Sequence, residues 1–426
     1  MPAAGREAGK TAPRMLLTHL SLTNFRLFSR LDLDVPGGPV LLVGGNAQGK
    51  TTLLEAVYYL ATFDSFHASS DRQLVSFFTE REPLAVARIV AEFRYTYPPG
   101  EKPARHAARR LEIRLIRETD ALDGSQRFRK EILLDGTLRK TGEALGAFNA
   151  VLFLPHMLRI VDGAPEERRR YLNLALSQTA PRYAAHWADY QKVLAQRNAL
   201  LKALSERSGD PGELDHWDAQ VARLGAELIY ARLHAVQDLE RLAARLHADL
   251  TRGQEVLRLD YQPAYDPSEA VNGRPANGKN QLALLPDRSA LSVDEIRRGF
   301  QERLARLRPE EIARGLTTIG PHRDELRFLA NGIDLGIYGS RGQGRTAVLA
   351  LKLAEVAWMK EKTGQWPVLL LDEVLAELDP ERRADLLTRL LDFEQALLTT
   401  TDLDLFPPDY SQRARLWRIE AGTVMA

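Results

Sequence analysis

No cysteine occurs in the 426 residues of this chain, which excludes a disulfide framework and any thiolate metal site. No apolar run approaches the ~20 residues of a membrane-spanning helix, so the membrane segments of a transporter are missing and no membrane partner is expected. Excess charge of one sign is missing too. The formal net charge is +1, so any contact with nucleic acid must come from local groups of lysine and arginine rather than from a bulk field. The amino terminus lacks the apolar core of a secretory signal. Met1 to Arg14, rich in alanine, glycine, proline and basic residues, reads as a disordered tail, with Met15 an alternative start. A cytoplasmic chain is expected, of a length that suggests two to three domains.

Against that plain background one stretch carries chemistry. Val43-Gly44-Gly45-Asn46-Ala47-Gln48-Gly49-Lys50-Thr51-Thr52 fits the phosphate-loop pattern G-x-x-x-x-G-K-[ST] without a mismatch. Its flanks fit as well: Val40 to Val43 reads as a buried strand and Thr51 to Leu60 as the start of an amphipathic helix, the context that gives the motif its mechanism. Backbone N–H groups of the loop and the helix N-terminus would cradle the α- and β-phosphates. Lys50 would place a cation on the β/γ-phosphates, and the Thr51 hydroxyl would reach Mg²⁺. The plain alternative is a glycine turn before any helix. The expectation is a nucleoside triphosphate site, with ATP and Mg²⁺ as cofactors.

A second site lies 322 residues beyond Lys50. Val368 to Leu371 is a continuous apolar run, the pattern of a strand buried on both faces of a parallel sheet, and it ends in Asp372-Glu373. Asp372 at that strand's carboxyl edge would hold the Mg²⁺ shell. Glu373 would orient and deprotonate an attacking water. The separation means that something large is inserted between the halves of one site. Ser340-Arg341-Gly342-Gln343, ahead of the helical run Thr346 to Ala357, is a degenerate S-G-G-Q signature of the ABC ATPases. Ser340 alone is also a good helix N-cap. Ala376-Glu377-Leu378-Asp379 resembles the D-loop of that superfamily, and Thr399-Thr400-Thr401 stands where it usually has a switch histidine.

The insertion divides in two. From about Ala85 to Leu145, Leu111 to Arg117 and Phe128 to Leu134 alternate with strand-like period, and Asp135-Gly136 is a hairpin turn signal. An antiparallel sheet is expected there. Its cations, Arg105, His106, Arg109, Arg110, Arg127, Arg129 and Lys130, are either solvated strand edges or contacts to DNA. From Glu166 to Arg258 the pattern is helical. One helix is expected near Pro181 to Arg207. After the Gly209–Gly212 break, Asp210, Pro211 and Glu213 fit N-cap, N1 and N3 of the next helix. That helix carries a stripe at Leu214, Trp217, Val221, Leu224, Leu228, Leu233, Val236, Leu239, Leu242 and Leu246. Arms of ~30 residues reach only ~45 Å, far short of an SMC coiled coil. Gln262 to Asp287 reads as a loop.

From Met15 onward the chain resembles the RecF family of bacterial recombination mediators, ATPases of the ABC/SMC-like superfamily. The resemblance rests on ordered blocks: Leu22 to Arg26, Gly45 to Thr51, Asp71 to Val75, Arg168 to Asn173, Tyr190 to Asn198, Gly320 to Asp324, and Ser340 to Glu355. Pro155-His156-Met157 departs from a usual Pro-Glu-Asp, and His67 from a usual arginine. The fold so implied is α/β: an ABC-type ATPase head, a P-loop parallel sheet with an antiparallel β subdomain at about 85–145, plus a helical lobe inserted between Walker A and the signature motif. The head would comprise 15–163 and 259–426, and the lobe 164–258. The resemblance implies that Arg26 joins the nucleotide site with Gly44 to Thr52. It also implies that Ser340, Gly342 and Gln343 contact ATP in trans within an ATP-bound homodimer, a closed two-fold arrangement, with Asp379 in the D-loop. Double-stranded and gapped DNA, the mediators RecR and RecO, and the recombinase RecA are the implied partners, and a weak ATPase is the implied activity. Arg72, Arg109, Arg110 and Arg129 are the candidate DNA contacts. The competing readings are an SMC-like chromosome-organising ATPase and a transporter-type ABC subunit.

Overall fold

The computed structural model describes residues 14–80, 82–96, 108–120, 125–180, 182–207, 209–267 and 290–425. Of the expected tail, Met1 to Pro13 lie outside the described residues, as do Arg105, His106 and most of the Gln262–Asp287 segment, while Arg14 begins a strand. Two compact units form, one of Met1–Pro155 with Glu355–Ala426, the other His156–Ala354.

The first unit holds two six-stranded sheets. One is mainly parallel, with strands ordered Thr423–Met425, Arg415–Glu420, Gly38–Val43, Gln395–Thr400, Val368–Asp372 and Ala150–Phe153. Its central strands are buried on both faces, as the apolar Val368–Leu371 run predicts, though Gln395–Thr400 carries polar residues at both ends. The other sheet is antiparallel, ordered Phe28–Asp34, Arg14–Phe25, Leu84–Thr96, Ala108–Thr119, Gln126–Leu134 and Thr137–Arg139. Asp135 and Gly136 both take positive φ in its last hairpin, the turn whose twist matches its strands. The sheet is wider than the 85–145 expectation, because the first two strands of the chain pair antiparallel beside Leu84–Thr96.

The Lys50–Thr62 helix packs against strands of both sheets, and nearly all of it from Leu53 onward is buried. A helix apolar all round belongs between layers. Gln395 ties the sheets directly: its side chain accepts from Leu17 N at 2.9 Å and donates to Leu17 O at 2.9 Å and Pro36 O at 2.8 Å. These bonds serve the backbone where the first strand slips register between Leu17 and His19, and a buried amide with partners at both ends costs little.

The second unit is helical around a three-stranded antiparallel sheet, Ile333–Asp334, Glu325–Ala330 and Leu257–Gln262. Its division falls at 155/156 and 354/355 rather than at the 163/164 and 258/259 expected from sequence. The physical reason is packing: the Val293–Arg314 helix lies on Tyr183–Glu206 and Leu214–Leu250, and Leu257–Gln262 lies on the latter. The 37-residue helix runs about 55 Å at 1.5 Å per residue. Leu214, Val221, Leu224, Leu228, Leu233, Val236 and Leu239 of the expected stripe are buried, while Trp217, Leu242 and Leu246 are half-buried. Asp210 caps as expected but only a short turn, Pro211–Glu213, accepting from Gly212 N at 2.8 Å; the long helix begins at Leu214.

Among apolar side chains the helices are also pinned by ions. Arg197, fully buried, donates to Asp218 at 2.7 Å and to Thr317 Oγ1 at 2.7 Å, and forms an ion pair with Glu311 at 2.7 Å. Arg232, equally buried, donates to Asp324 at 2.7 Å and to Asn173 at 2.8 Å, and Tyr261 donates to the same aspartate. Each charge has a partner, which is what makes such burial tolerable. Among the described residues no helix is long and apolar enough to cross a membrane.

Candidate nucleotide site

Three adjacent strand ends of the parallel sheet build the site, and the order of the strands explains the long spacing between its motifs. Gly38–Val43 and Val368–Asp372 are not neighbours. Gln395–Thr400 lies between them, pairing Thr399 with Asp372 on one side and with Leu42 on the other. The loop Gly44 to Gly49 follows the first strand and enters the helix at Lys50. Gly49 sits at φ 114° as the N-cap, where a Cβ would meet the Phe28 ring at 3.0 Å. At Gly44 a Cβ would lie 2.3 Å from the Ile419 carbonyl oxygen. Both positions demand glycine, the first by conformation and the second by space.

Within the loop, Ala47 takes φ 61° and Gly45 to Ala47 are exposed. Gln48 accepts from Ala421 N at 2.6 Å through its side chain and from Gly422 N at 3.1 Å through its carbonyl. The C-terminal hairpin thus clasps the loop, a contact that no local pattern announces. Lys50, buried, donates from Nζ to Gly44 O at 2.8 Å and Gly45 O at 2.9 Å, and lies 3.4 Å from Glu373 Oε1. The Thr51 hydroxyl meets both Asp372 oxygens, at 2.9 and 3.0 Å. Thr52 follows in the helix's first turn.

Thr399 completes this cluster. Its hydroxyl donates to Asp372 Oδ1 at 2.7 Å and accepts from Glu373 N at 2.9 Å. One side chain therefore orients both members of the acidic pair, with Glu373 held at φ 50°, a strained conformation for a residue with a side chain. The sequence showed only that a switch histidine was replaced by threonine. The neighbouring Thr400 closes a local turn with Asp402.

The remaining site residues are placed as follows. Arg26, at φ 52°, gives its guanidinium to Glu55 at 2.8 and 3.0 Å, and Ser65 donates to the same buried carboxylate. Its side chain is thus engaged with the loop's helix and not with the loop. Asp379 caps the Pro380–Leu390 helix, accepting from Arg382 N at 3.0 Å. Ser340, Gly342 and Gln343 belong to the second unit. There Ser340 Oγ accepts from Gln343 N at 3.2 Å while Gln343 Oε1 accepts from Ser340 N at 2.9 Å, a reciprocal capping arrangement.

The candidate DNA cations are matched by carboxylates on the same sheet. Arg109 pairs with Asp135 at 2.9 Å, Arg110 with Glu92 at 2.9 Å, and Arg129 approaches Glu118 at 3.5 Å. Lys130 is tied to Asp71 at 2.8 Å. Arg72 lies over the Phe128 ring, 5.9 Å from its centroid.

The chain is similar to known proteins along nearly its whole length. Residues 16–407 match the RecF/RecN/SMC N terminal domain. A DNA replication and repair protein RecF from Roseiflexus castenholzii is 41% identical, covering 96% of this chain and 99% of the relative. Its counterpart from Chloroflexus aurantiacus is 40% identical over 97% and 100%. Among solved structures, the recombination mediator protein RecF-ATPrS of the RecFOR pathway superposes with a TM-score of 0.78 at 29% identity, over 97% of this chain and 99% of that one. The chain is a member of the RecF family, with the ABC-type ATPase head of the SMC-like superfamily.

Proposed function

We propose that this chain is an ATP-dependent DNA-binding protein of recombinational repair and replication. In this reading two copies sandwich ATP head to tail, the dimer clamps double-stranded or gapped DNA, and slow hydrolysis releases it. The observation that carries the reading is the Lys50–Thr51–Asp372–Thr399–Glu373 cluster at the mouth of a phosphate loop. The donor set suits ATP with Mg²⁺. Thr51 and Asp372 offer hard oxygen ligands for an ion that usually takes one or two protein groups beside phosphate. No set of three or more carboxylates and imidazoles fit to hold a metal alone occurs among the described residues.

When bound, Mg²⁺ would neutralise charge on the phosphate oxygens. Lys50 would exchange its two loop carbonyls for those oxygens. Glu373, beside it, would hold the attacking water and take its proton. Ser340, Gly342 and Gln343 would cap the nucleotide of the opposite copy. Relatives named for DNA replication and repair, and a structural neighbour named as a recombination mediator in the RecFOR pathway, support a mediator role; in this reading DNA, RecR, RecO and RecA are the partners. An SMC-like role draws less support, given helical arms of 24 and 37 residues, and a transporter-type role, given that no helix among the described residues is long and apolar enough to cross a membrane.

Sedimentation with ATP tests the sandwich. Glu373→Gln keeps binding and loses the base, so it should accumulate as dimer. Ser340→Arg should bind ATP yet stay monomeric. A monomeric Glu373→Gln protein beside a dimeric Ser340→Arg protein would overturn the model.

A further inference from the structure

Glu255 lies in the turn that follows the long Leu214–Leu250 helix, 85 residues ahead of Ser340 in sequence. It accepts from Gln343 Nε2 at 2.7 Å through Oε1. Its other oxygen is 3.6 Å from Nε2 of His247, a buried imidazole on the last turns of that helix. The turn itself is fixed: Asn331 Oδ1 accepts from Val256 N at 2.9 Å, Asn331 Nδ2 donates to Gln254 O at 3.2 Å, and Asn331 N donates to Val256 O at 3.0 Å. Glu255 is thus a placed group and not a passing surface side chain.

The contact decides which way the Gln343 amide faces. A carboxylate only accepts, so Nε2 must point at Glu255 and Oε1 is left for Ser340 N, which donates to it at 2.9 Å. The flipped amide would set oxygen against carboxylate and NH₂ against N–H. With the amide fixed, Gln343 N donates to Ser340 Oγ at 3.2 Å. That bond takes one of the two lone pairs of the serine oxygen and leaves its proton to be donated. A hydroxyl held as a donor at an exposed helix start suits a phosphate oxygen.

We propose that Glu255 is a positioning residue for the Ser340–Gln343 motif: by orienting the Gln343 amide it sets Ser340 as a donor to nucleotide held by another copy. The role rests on the trans-capping reading above. It also links the end of the long helix to the nucleotide-capping motif, so an event along that helix has a route to the dimer contact.

The test is a double-mutant cycle on the full-length protein, with Glu255→Ala, Gln343→Ala, their combination, Glu255→Gln and, as reference, Ser340→Arg. Three quantities are read: affinity of the monomer for a fluorescent ATP analogue, the protein concentration at half-dimerisation with ATP, and the melting temperature. Loss of a charge-assisted bond should raise the Glu255→Ala midpoint about tenfold, with nucleotide affinity unchanged. Glu255→Gln, which still offers an acceptor oxygen, should restore most of the loss. The double variant should be no worse than Gln343→Ala, because coupled partners do not add. A wild-type midpoint for Glu255→Ala, when Ser340→Arg stays monomeric, overturns the positioning role and leaves the sandwich standing. Additive Glu255 and Gln343 effects, or a melting temperature that falls equally for Ala and Gln, overturn it as well. Dimerisation of Ser340→Arg at wild-type concentration sinks the sandwich and the positioning role with it. Should Glu255→Ala fail to fold, Glu255→Gln and Gln343→Ala carry the same comparison.

Discussion

Lys50 and Thr399 show how differently single residues can act in one site. Lys50 donates only to loop carbonyls and faces Glu373, so Lys50→Ala should abolish ATP affinity and everything that depends on it. Unchanged calorimetric binding would refute the assigned loop. Thr399→Val keeps the shape but removes its own two bonds to the acidic pair. Nucleotide affinity should survive, while turnover falls ~10–100-fold, the usual cost of losing a group that orients a ligand. Equal turnover would make Thr399 a bystander. His322 offers a pH test. Burial pushes its imidazole down to about 4, with Arg323, Arg169 and Arg232 adding to the effect against the Thr317 carbonyl. The folded state therefore prefers the neutral ring. Its contribution is complete above about pH 6.5 and is lost as pH falls through about 4. Thermal melts between pH 7.5 and 4.5 should fall less steeply for His322→Asn than for the wild type.

At the scale of elements, the helical unit is held by more than its apolar stripe. Arg197 connects the Tyr183–Glu206, Leu214–Leu250 and Val293–Arg314 helices through Asp218 and Glu311. Arg197→Ala would strip the buried Glu311 of its cation and leave Asp218 with Arg308 alone, so the unfolding free energy should drop by ~3–5 kcal/mol. Replacing Arg197, Asp218 and Glu311 together by Met, Leu and Leu should cost far less, because the penalty lies in the unpaired charge and not in lost attraction. Denaturant titration of the full chain distinguishes the two. A triple variant as unstable as Arg197→Ala would mean that the bridge itself supplies the stability. In the antiparallel sheet, Arg88, with Arg114 beside it, holds the Glu112 carboxyl down to about 2. That clamp is present above about pH 4.5 and weakens as pH falls toward 2.

For the molecule as a whole, the charge balance sets the expectation about DNA. With net charge +1 and the sheet arginines already paired to Asp135, Glu92 and Glu118, one copy should hold DNA weakly. Affinity should rise when ATP brings two copies together, and should fall steeply with salt as neutralised phosphates release counterions. Binding measured across a salt series with ATP, ADP and no nucleotide should separate the three states, and equal affinity in all three would rule out a clamp. Substituting Arg72, Arg109, Arg110 and Arg129 together should weaken DNA binding in the ATP state and flatten its salt dependence, since the cations go while Asp135, Glu92 and Glu118 remain.

Local rules wrote much of this protein plainly. A phosphate loop needs its glycines, lysine and threonine within eight positions, so Gly44 to Thr51 could be read without a structure. The Val368–Asp372 strand, the Asp135-Gly136 hairpin and the helical stripe from Leu214 also follow from short-range period and turn chemistry. What only the tertiary structure decided is who meets whom across hundreds of residues. That Thr399 stands between the two motifs follows from strand order, and strand order is fixed by burial and not by any neighbouring residue. The Gln395 tie to Leu17, the Ala421–Gly422 clasp on Gln48 and the Glu255 contact with Gln343 are likewise hydrogen bonds between distant segments. The second unit gained residues 259–354 for the same reason. Its strands and helices bury their apolar faces against the long helix, a match between surfaces that a linear pattern does not contain.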